Sequence, residues 1–195
     1  MTERVAVLLL GASLAPAAPP GCDGMALAAA MAEDVLTVFA ELDGIDEAIA
    51  FQHPANGELA RSIAWPGTVF IEALTPTGVL RRTAELGYQQ AALVVADAPD
   101  LPGLHLAKAF SALDSAVAAT ALAVNGGMVI LASRLPSPAD LDSVDMDGPP
   151  PPGVRQTLPW RRLRQPADLA RLDPGLEGWE TTRALLSAGS SPGTR

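Results

Sequence analysis

Two aspartates follow the most apolar segment of the chain. Asp97 and Asp100 lie in the segment Asp-Ala-Pro-Asp-Leu-Pro at 97–102, directly after the unbroken run Ala-Ala-Leu-Val-Val-Ala at 91–96. That run predicts a buried strand of a parallel sheet. An aspartate at the carboxyl end of such a strand can hold Mg²⁺ or Mn²⁺ against nucleotide phosphates, because these hard cations prefer oxygen ligands. The alternative is that Asp97 and Asp100 only cap the helix that follows.

A pair of glycines marks a second place of interest. Gly126 and Gly127 separate the segments 118–124 and 128–133, both of which predict strands. The pair fits either a hairpin turn or a point where the backbone approaches a ligand closely.

Cysteine and histidine offer little for catalysis or metal binding. The chain has one cysteine, Cys22, and two histidines, His53 and His105. A single cysteine excludes a disulfide framework and a multi-cysteine zinc site. No base stands beside Cys22 in the sequence and the histidines lie far apart, so we expect neither a cysteine nucleophile nor a histidine-based metal site.

The composition is that of an acidic globular protein. Of its 195 residues, 49% are hydrophobic, which is enough for the core of one domain. We predict a single domain over 1–187 and a flexible tail over 188–195. The chain has 13 basic and 22 acidic residues, a net charge of -9, and Lys108 is its one lysine. Such a chain lacks the cationic surface that binds phosphate backbones, which argues against a nucleic-acid partner.

The sequence predicts no contact with a membrane. No apolar run reaches the roughly 18 residues that a membrane helix needs. The run Val-Ala-Val-Leu-Leu-Leu-Gly at 5–11 loosely resembles a signal peptide, but it is short and Glu3 stands beside Arg4. We interpret it as the first buried strand, which predicts a cytoplasmic protein.

The order of apolar patterns predicts an α/β protein. Strand patterns lie at 5–11, 47–51, 68–73, 91–96, 118–124 and 128–133. Helical patterns lie at 27–42, 55–64, 75–86, 102–117, 166–172 and 176–187. This alternation predicts a mostly parallel sheet flanked by helices, with ligands bound beyond the carboxyl ends of the strands. The segment 136–157, with prolines at 149–152, is predicted to be an irregular surface spacer.

Four segments together resemble the bacterial glycosyltransferase-A-like family, which is related to the phospholactate and molybdenum-cofactor guanylyltransferases. The segment 97–102 resembles the T-D-C-P-D-L-P of that family, and 124–131 resembles its E-D-G-G-Y-Y-L-L. Similarly, 163–169 resembles V-D-T-P-E-D-L, and 19–21 resembles the V-P-G before its phosphate-facing basic residues. The resemblance extends over about residues 5–172 and implies the glycosyltransferase-A (GT-A) fold of nucleotide-diphospho-sugar transferases.

The resemblance implies a set of site residues. Asp97 would be the catalytic residue and, in an active enzyme, the ligand of Mg²⁺ or Mn²⁺. Gly21, Asn125, Gly126 and Gly127 would line the site of a nucleotide or nucleotide-sugar.

The departures from the family pattern point to a lost activity. Gly24 and Ala26 stand where the family has phosphate-facing Lys and Arg, and Asn125 replaces an Asp. Arg164 stands where an Asp would complete the metal site, and it could instead pair with Asp97. A shift of register would bring Asp168 near the site, and Asp145 and Asp147 are further carboxylates in the preceding loop.

Three functions remain open. The first is a divergent GT-A-like protein that needs no cofactor, has lost metal-dependent transfer, and acts in binding, scaffolding or regulation. The second is an active glycosyl- or nucleotidyltransferase that uses backbone amides and Arg161, Arg162 and Arg164 as phosphate contacts. The third is a partner subunit that forms a homodimer through an apolar surface and binds no nucleotide. Because the loop 12–26 has many small residues and no cation, we also expect it to be mobile and poorly packed.

Overall fold

The computed structural model describes residues 3–11, 17–51, 56–73 and 75–189. Its strands in chain order are β1 (Arg4–Leu10), β2 (Asp46–Phe51), β3 (Val69–Glu72), β4 (Gln90–Val95), β5 (Ala118–Leu122), β6 (Met128–Arg134) and β7 (Arg155–Gln156). Its α-helices are α1 (Gly24–Ala40), α2 (Gly57–Ile63), α3 (Pro76–Glu85), α4 (Gly103–Ala112) and α5 (Glu180–Gly189). Two 3₁₀ helices cover Ala139–Leu141 and Pro166–Arg171.

The described strands form one sheet in the order β3-β2-β1-β4-β6-β5-β7. Strands β3, β2, β1 and β4 run parallel, and β6 is antiparallel to both β4 and β5. The prediction of an α/β fold with a mostly parallel, helix-flanked sheet is therefore confirmed. Residues 123–127 join β5 to β6, so the glycine pair lies in a hairpin connection between antiparallel strands.

The two central strands are buried because helices cover both faces of the sheet. In β1, residues 5–8 have no exposed surface, and in β4 the same is true of residues 91–94. Continuous apolar runs are expected for strands with this double cover, whereas half-exposed strands alternate. The tight packing of these central strands fixes the position of the residues after β4 at the carboxyl end of the parallel strands. No helix in the described ranges is long and apolar enough to cross a membrane.

Helix α3 begins as the sequence predicts. The Thr75 hydroxyl accepts a hydrogen bond from the Gly78 N–H at 3.1 Å, and Pro76 occupies the first turn. A threonine cap satisfies one of the free N–H groups of the first turn, and proline costs nothing there because its missing N–H would have no partner in the helix.

The predicted loop over 12–26 ends earlier than expected, and its predicted mobility stays a prediction. Helix α1 already begins at Gly24, and the Asp23 carboxylate caps it by accepting from the N–H groups of Met25 (2.8 Å) and Ala26 (3.3 Å). Ala17 is fully buried against the start of α1 and the closing segments of the chain. Residues 12–16 lie outside the described residues.

The closing helix differs from its prediction at both ends. Helix α5 begins at Glu180, because the Asp34 carboxylate of α1 accepts from the N–H groups of Thr181 (3.0 Å) and Thr182 (2.8 Å). It continues through Gly189, two residues beyond its predicted end. The flexible tail over 188–195 stays a prediction, and its residues 190–195 lie outside the described residues.

Candidate functional site

Asp97 lies two residues after the end of β4, which is the strand between β1 and β6 in the sheet. Only 7% of the residue is exposed. Its backbone carbonyl accepts a hydrogen bond from the Leu163 N–H at 2.7 Å, which fixes the segment 160–164 alongside the turn after β4. The basic residues of that segment are thereby brought to the carboxyl end of the central strand.

Arg162 binds Asp97 with two parallel hydrogen bonds. Its Nε donates to Oδ1 at 2.7 Å and its Nη2 donates to Oδ2 at 2.8 Å, and both residues are buried. The expectation that Arg164 pairs with Asp97 is therefore corrected. Arg162 and Arg164 are two residues apart in an extended segment, so they point to the same side, but the Leu163–Asp97 backbone contact brings Arg162 to the carboxylate.

The remaining guanidinium nitrogen of Arg162 is also surrounded by oxygen. Nη1 donates to Asp147 Oδ1 at 2.7 Å, to the Met146 carbonyl at 3.2 Å and to the Met128 carbonyl at 3.4 Å. Arg164 donates from Nη2 to the same Asp147 oxygen at 2.8 Å. Two carboxylates and two guanidinium groups thus form a cluster whose formal charges cancel.

The charges of this cluster shift one another's titration. Burial raises the pKa of the Asp97 carboxyl, while the hydrogen bonds and charge of Arg162 act against that increase. Burial acts to lower the pKa of Arg162, but the attraction of Asp97 and Asp147 outweighs it and raises that pKa. The guanidinium is therefore a permanent cation inside the site.

The glycine-containing connection between β5 and β6 holds the arginine segment. Asn125 donates from Nδ2 to the Arg162 carbonyl at 2.8 Å and accepts from the Arg162 N–H through Oδ1 at 3.3 Å. Gly127 has φ +76°, and a Cβ there would lie 2.6 Å from the Met146 carbonyl oxygen and 2.8 Å from Arg164 Nη2. Gly126, at φ +97°, faces open space. The connection is thus both a turn and a close backbone approach.

Asp100 is occupied by a second arginine. Arg161 donates from both Nε and Nη2 to Asp100 Oδ2, and the Trp160 indole donates to Oδ1 at 3.1 Å. The guanidinium of Arg161 also lies 4.6 Å from the centre of the Trp160 ring. The alternative that Asp97 and Asp100 cap the next helix is wrong, because the N-cap of α4 is Pro102 and no side chain caps that helix.

The other candidate carboxylates have separate roles. Asp168 accepts from the N–H groups of Arg164 (3.0 Å) and Gln165 (3.2 Å), so it caps the 3₁₀ helix Pro166–Arg171 and is not a partner of Asp97. Asp145 accepts from the Asp147 N–H at 3.0 Å and shapes the turn that carries Asp147. Asp147, which the sequence offered only as a spare carboxylate of the preceding loop, is part of the cluster through its bonds to Arg162 and Arg164.

The loop before α1 lies against the arginine segment through apolar contacts. Leu163 packs in a small buried cluster with Leu27 and Met31 of α1. Gly21, with φ +87°, lies in this loop with open space beside its Cα, and no described contact joins it to Asp97. The first turn of α1 carries the uncharged Gly24 and Ala26 and is capped by the Asp23 carboxylate, so the position of the family's phosphate-facing cations is neutral or negative here.

The residues of the site do not fit a divalent cation. Both Asp97 oxygens already accept from Arg162, and the neighbouring basic residue Arg164 repels a metal ion. Within the described ranges, no three His, Cys, Asp or Glu side chains are grouped so that they could hold a metal. We therefore derive no chemical step through a metal.

Comparison with known proteins supports the fold. A family model described as "Uncharacterized protein conserved in bacteria (DUF2064)" matches residues 77–147. No curated protein matches the chain by sequence. A "putative nucleotide-diphospho-sugar transferase" from Desulfovibrio desulfuricans G20 is similar in structure, with a TM-score of 0.70 and 17% identity over 97% of this chain and 99% of that chain.

A second solved structure is similar over nearly the same length. It is Rv0371c of Mycobacterium tuberculosis H37Rv in complex with manganese, with a TM-score of 0.54 and 16% identity over 95% of this chain and 98% of that chain. At these identities the likeness concerns the fold. The chain therefore has the nucleotide-diphospho-sugar transferase fold that its sequence resemblance implies, and the resemblance is confirmed at that level.

Proposed function

We propose that this protein uses the GT-A fold without metal-dependent transfer, and that it acts by binding a ligand in a regulatory or scaffolding role. The observation that carries the proposal is the pairing of Arg162 with both oxygens of Asp97. By the family resemblance, Asp97 is the carboxylate that a divalent cation would need, and that carboxylate is already paired with Arg162.

The pairing of Asp97 is expected to be durable. A Mg²⁺ or Mn²⁺ ion would have to displace two charge-assisted hydrogen bonds from a buried carboxylate. The displaced guanidinium cannot lose its proton, so it would remain as a cation beside the metal. Both effects oppose metal binding, which supports a protein without a metal cofactor.

The loop before α1 supports the same proposal. A helix N-terminus attracts anions through its free N–H groups, but two of these groups in α1 already donate to Asp23. A phosphate at this point would meet a carboxylate and no cation. This arrangement supports the proposal that the start of α1 no longer binds a diphosphate.

Other parts of the proposal rest on the sequence and the fold. A nucleotide or nucleotide-sugar remains the proposed ligand, with Gly21, Asn125, Gly126 and Gly127 as its proposed lining and Asp97 as the catalytic residue only if transfer is retained. A homodimer and a cytoplasmic location also remain predictions.

Calorimetry with Mn²⁺ and a nucleoside triphosphate tests the proposal on the unmodified protein. We expect no stoichiometric, metal-dependent binding. A useful comparison is the double variant Arg162→Ser with Arg164→Asp, which frees Asp97 and adds a carboxylate, and which should take up Mn²⁺. Tight metal-dependent nucleotide binding by the unmodified protein would contradict the proposal and support an active transferase with Mg²⁺ or Mn²⁺ as cofactor.

A further inference from the structure

We propose that Arg162 and Arg164 form an anion-binding site that Asp147 fills in the free protein, and that a phosphate group displaces Asp147 without any metal. This inference rests on the proposed function, because it assumes that the Arg162 guanidinium occupies the position of the divalent cation. It adds a ligand class, a phosphate monoester or diphosphate, and a competing internal group.

The geometry of the cluster is that of an occupied anion site. Arg162 Nη1 and Arg164 Nη2 donate to one and the same oxygen, Asp147 Oδ1, at 2.7 and 2.8 Å. Two guanidinium groups thus converge on a single carboxylate oxygen. A phosphate group offers more acceptor oxygens and a higher negative charge to the same donors, and planar guanidinium forks suit it well.

The site is prepared on its cationic side. Arg162 is fixed at its head by Asp97 and at its backbone by Asn125, and 8% of its side chain is exposed. The Arg164 N–H is fixed by Asp168, and the missing side chain of Gly127 leaves room for the Arg164 guanidinium. Arg162 would therefore keep its place when Asp147 leaves, and the backbone of Arg164 would stay fixed, so that only the Arg164 guanidinium has to be held by the incoming anion.

Asp147 is the replaceable member of the cluster. Its side chain is 68% exposed, against 8% for Arg162 and 29% for Arg164. It lies in the turn 145–148, in an irregular segment between the 3₁₀ helix Ala139–Leu141 and β7. Water competes for this exposed carboxylate, so Asp147 is held less firmly than Asp97, which is buried with Arg162.

The order of charges across the cluster supports a phosphate as the natural occupant. Asp97, the Arg162 guanidinium and the Asp147 carboxylate form a line of acid, cation and acid. In a metal-dependent site, a carboxylate, a metal ion and a phosphate stand in that order. Here the guanidinium replaces the ion and Asp147 represents the phosphate.

The test compares two loop aspartates in the presence of a metal chelator. Titrations of inorganic phosphate, pyrophosphate and a nucleoside diphosphate are followed by calorimetry on the unmodified protein, Asp147→Ala and Asp142→Ala. Asp142 is exposed in the same irregular segment, so its replacement makes the same change in net charge away from the arginines. We expect Asp147→Ala to bind pyrophosphate up to about fivefold more tightly than the unmodified protein, and Asp142→Ala to be unchanged.

A third variant shows whether the arginines carry the effect. Adding Arg164→Ala to Asp147→Ala should remove the gain, and the melting temperature without ligand shows that each variant is folded. Equal affinities for Asp147→Ala and Asp142→Ala, a gain that survives the loss of Arg164, or no anion binding by any variant would each overturn the inference. Tighter binding of the nucleoside diphosphate than of pyrophosphate identifies a nucleotide as the source of the phosphate. A parallel titration of the unmodified protein replaces the chelator with Mn²⁺, and nucleoside diphosphate binding only in that titration would instead refute the proposed function.

Discussion

Asn125 holds the backbone of Arg162 from both sides, through a donated bond to its carbonyl at 2.8 Å and an accepted bond from its N–H at 3.3 Å. A side-chain amide can do this because it has both a donor and an acceptor, whereas an ionised carboxylate only accepts. The asparagine in place of the family's aspartate is therefore suited to positioning an arginine. The replacements at 125 and at the arginine segment act together in this structure.

We predict that Asn125→Asp destabilises the protein by about 1–2 kcal/mol. The change leaves the Arg162 carbonyl without its donor in a partly buried position, which costs more than the loss of an average hydrogen bond. Urea unfolding of Asn125→Asp and Asn125→Ala measures the effect. If the two variants were both as stable as the unmodified protein, the bonds of Asn125 would have no positioning role.

A second prediction concerns the buried ion pair. We expect Arg162→Met to cost about 3–5 kcal/mol, because it leaves the Asp97 carboxylate buried without a partner. The exposed pair of Arg82 with Glu85 has a similar separation, 2.6 Å, but the side chains are 59% and 49% exposed. Replacing Arg82 with Met should therefore cost less than about 1 kcal/mol. Equal losses in the two unfolding experiments would contradict the role of burial.

The loss in Arg162→Met should also depend on pH. Burial already raises the pKa of Asp97 against the influence of Arg162, and without that arginine the increase is opposed less. A carboxyl with a raised folded pKa contributes stability that is present below its unfolded pKa and is lost as the pH rises through the folded pKa. The variant should accordingly recover part of its stability relative to the unmodified protein as the pH falls toward 3.8, the ordinary pKa of an aspartate. A loss that is constant from neutral to acid pH would show that Asp97 stays ionised.

The elements of the fold were predictable where the apolar pattern is strong. Strands β1 and β4 are continuous apolar runs, and their predicted bounds differ from the structure by one residue at each end. Strand β7 was not predicted, because it has two exposed residues, Arg155 and Gln156, and pairs with β5 only through the tertiary fold. The sequence carries no local signal for such a strand.

The pairing within the site was less predictable than the position of Asp97. Arg162 and Arg164 share one side of an extended segment, so residue spacing alone does not decide which of them meets the carboxylate. The backbone hydrogen bond from Leu163 to Asp97 determines that Arg162 is the partner, and it joins positions 66 residues apart in the chain. The one available signal in the sequence was the match of charges, two adjacent arginines for two nearby aspartates. In the structure Arg161 binds Asp100, and Arg162 binds Asp97.

The two neighbouring glycines give a third, matched prediction. Gly127→Ala would place a Cβ 2.6 Å from the Met146 carbonyl oxygen and 2.8 Å from Arg164 Nη2 at a positive φ, so the turn that carries Asp147 has to move. Gly126→Ala meets the same backbone strain at φ +97° but no atom within 4 Å. We expect a loss of about 1–2 kcal/mol for Gly126→Ala and a clearly larger loss for Gly127→Ala.

Thermal and urea unfolding compare the two glycine variants directly. Gly127→Ala should also weaken pyrophosphate binding in the Asp147→Ala background, because its Cβ crowds the Arg164 guanidinium. A smaller loss for Gly127→Ala than for Gly126→Ala would contradict the close approach of the two loops.

The last prediction uses the one tyrosine of the chain as a probe of the sheet. Tyr88 is 6% exposed and donates from its hydroxyl to Asp46 Oδ2 at 3.0 Å, beside the start of β2. Burial, together with the hydrogen bond to Asp46 and the charge of Asp46, raises the pKa of Tyr88 to about 12 from the ordinary tyrosine value of 10.0. The unfolded chain therefore releases this proton at a lower pH than the folded protein does. The contribution of Tyr88 is fully present below pH 10 and is lost as the pH rises through about 12, which makes stability fall with pH in this window.

Urea unfolding at several alkaline pH values should show this decline, and Tyr88→Phe should reduce it because phenylalanine has no proton to lose. The ultraviolet absorbance of tyrosinate reports the same ionisation in the folded protein without interference from a second tyrosine. A titration of that absorbance centred near pH 10.0, the ordinary pKa of tyrosine, would show that the Tyr88 hydroxyl is neither buried nor bonded to Asp46.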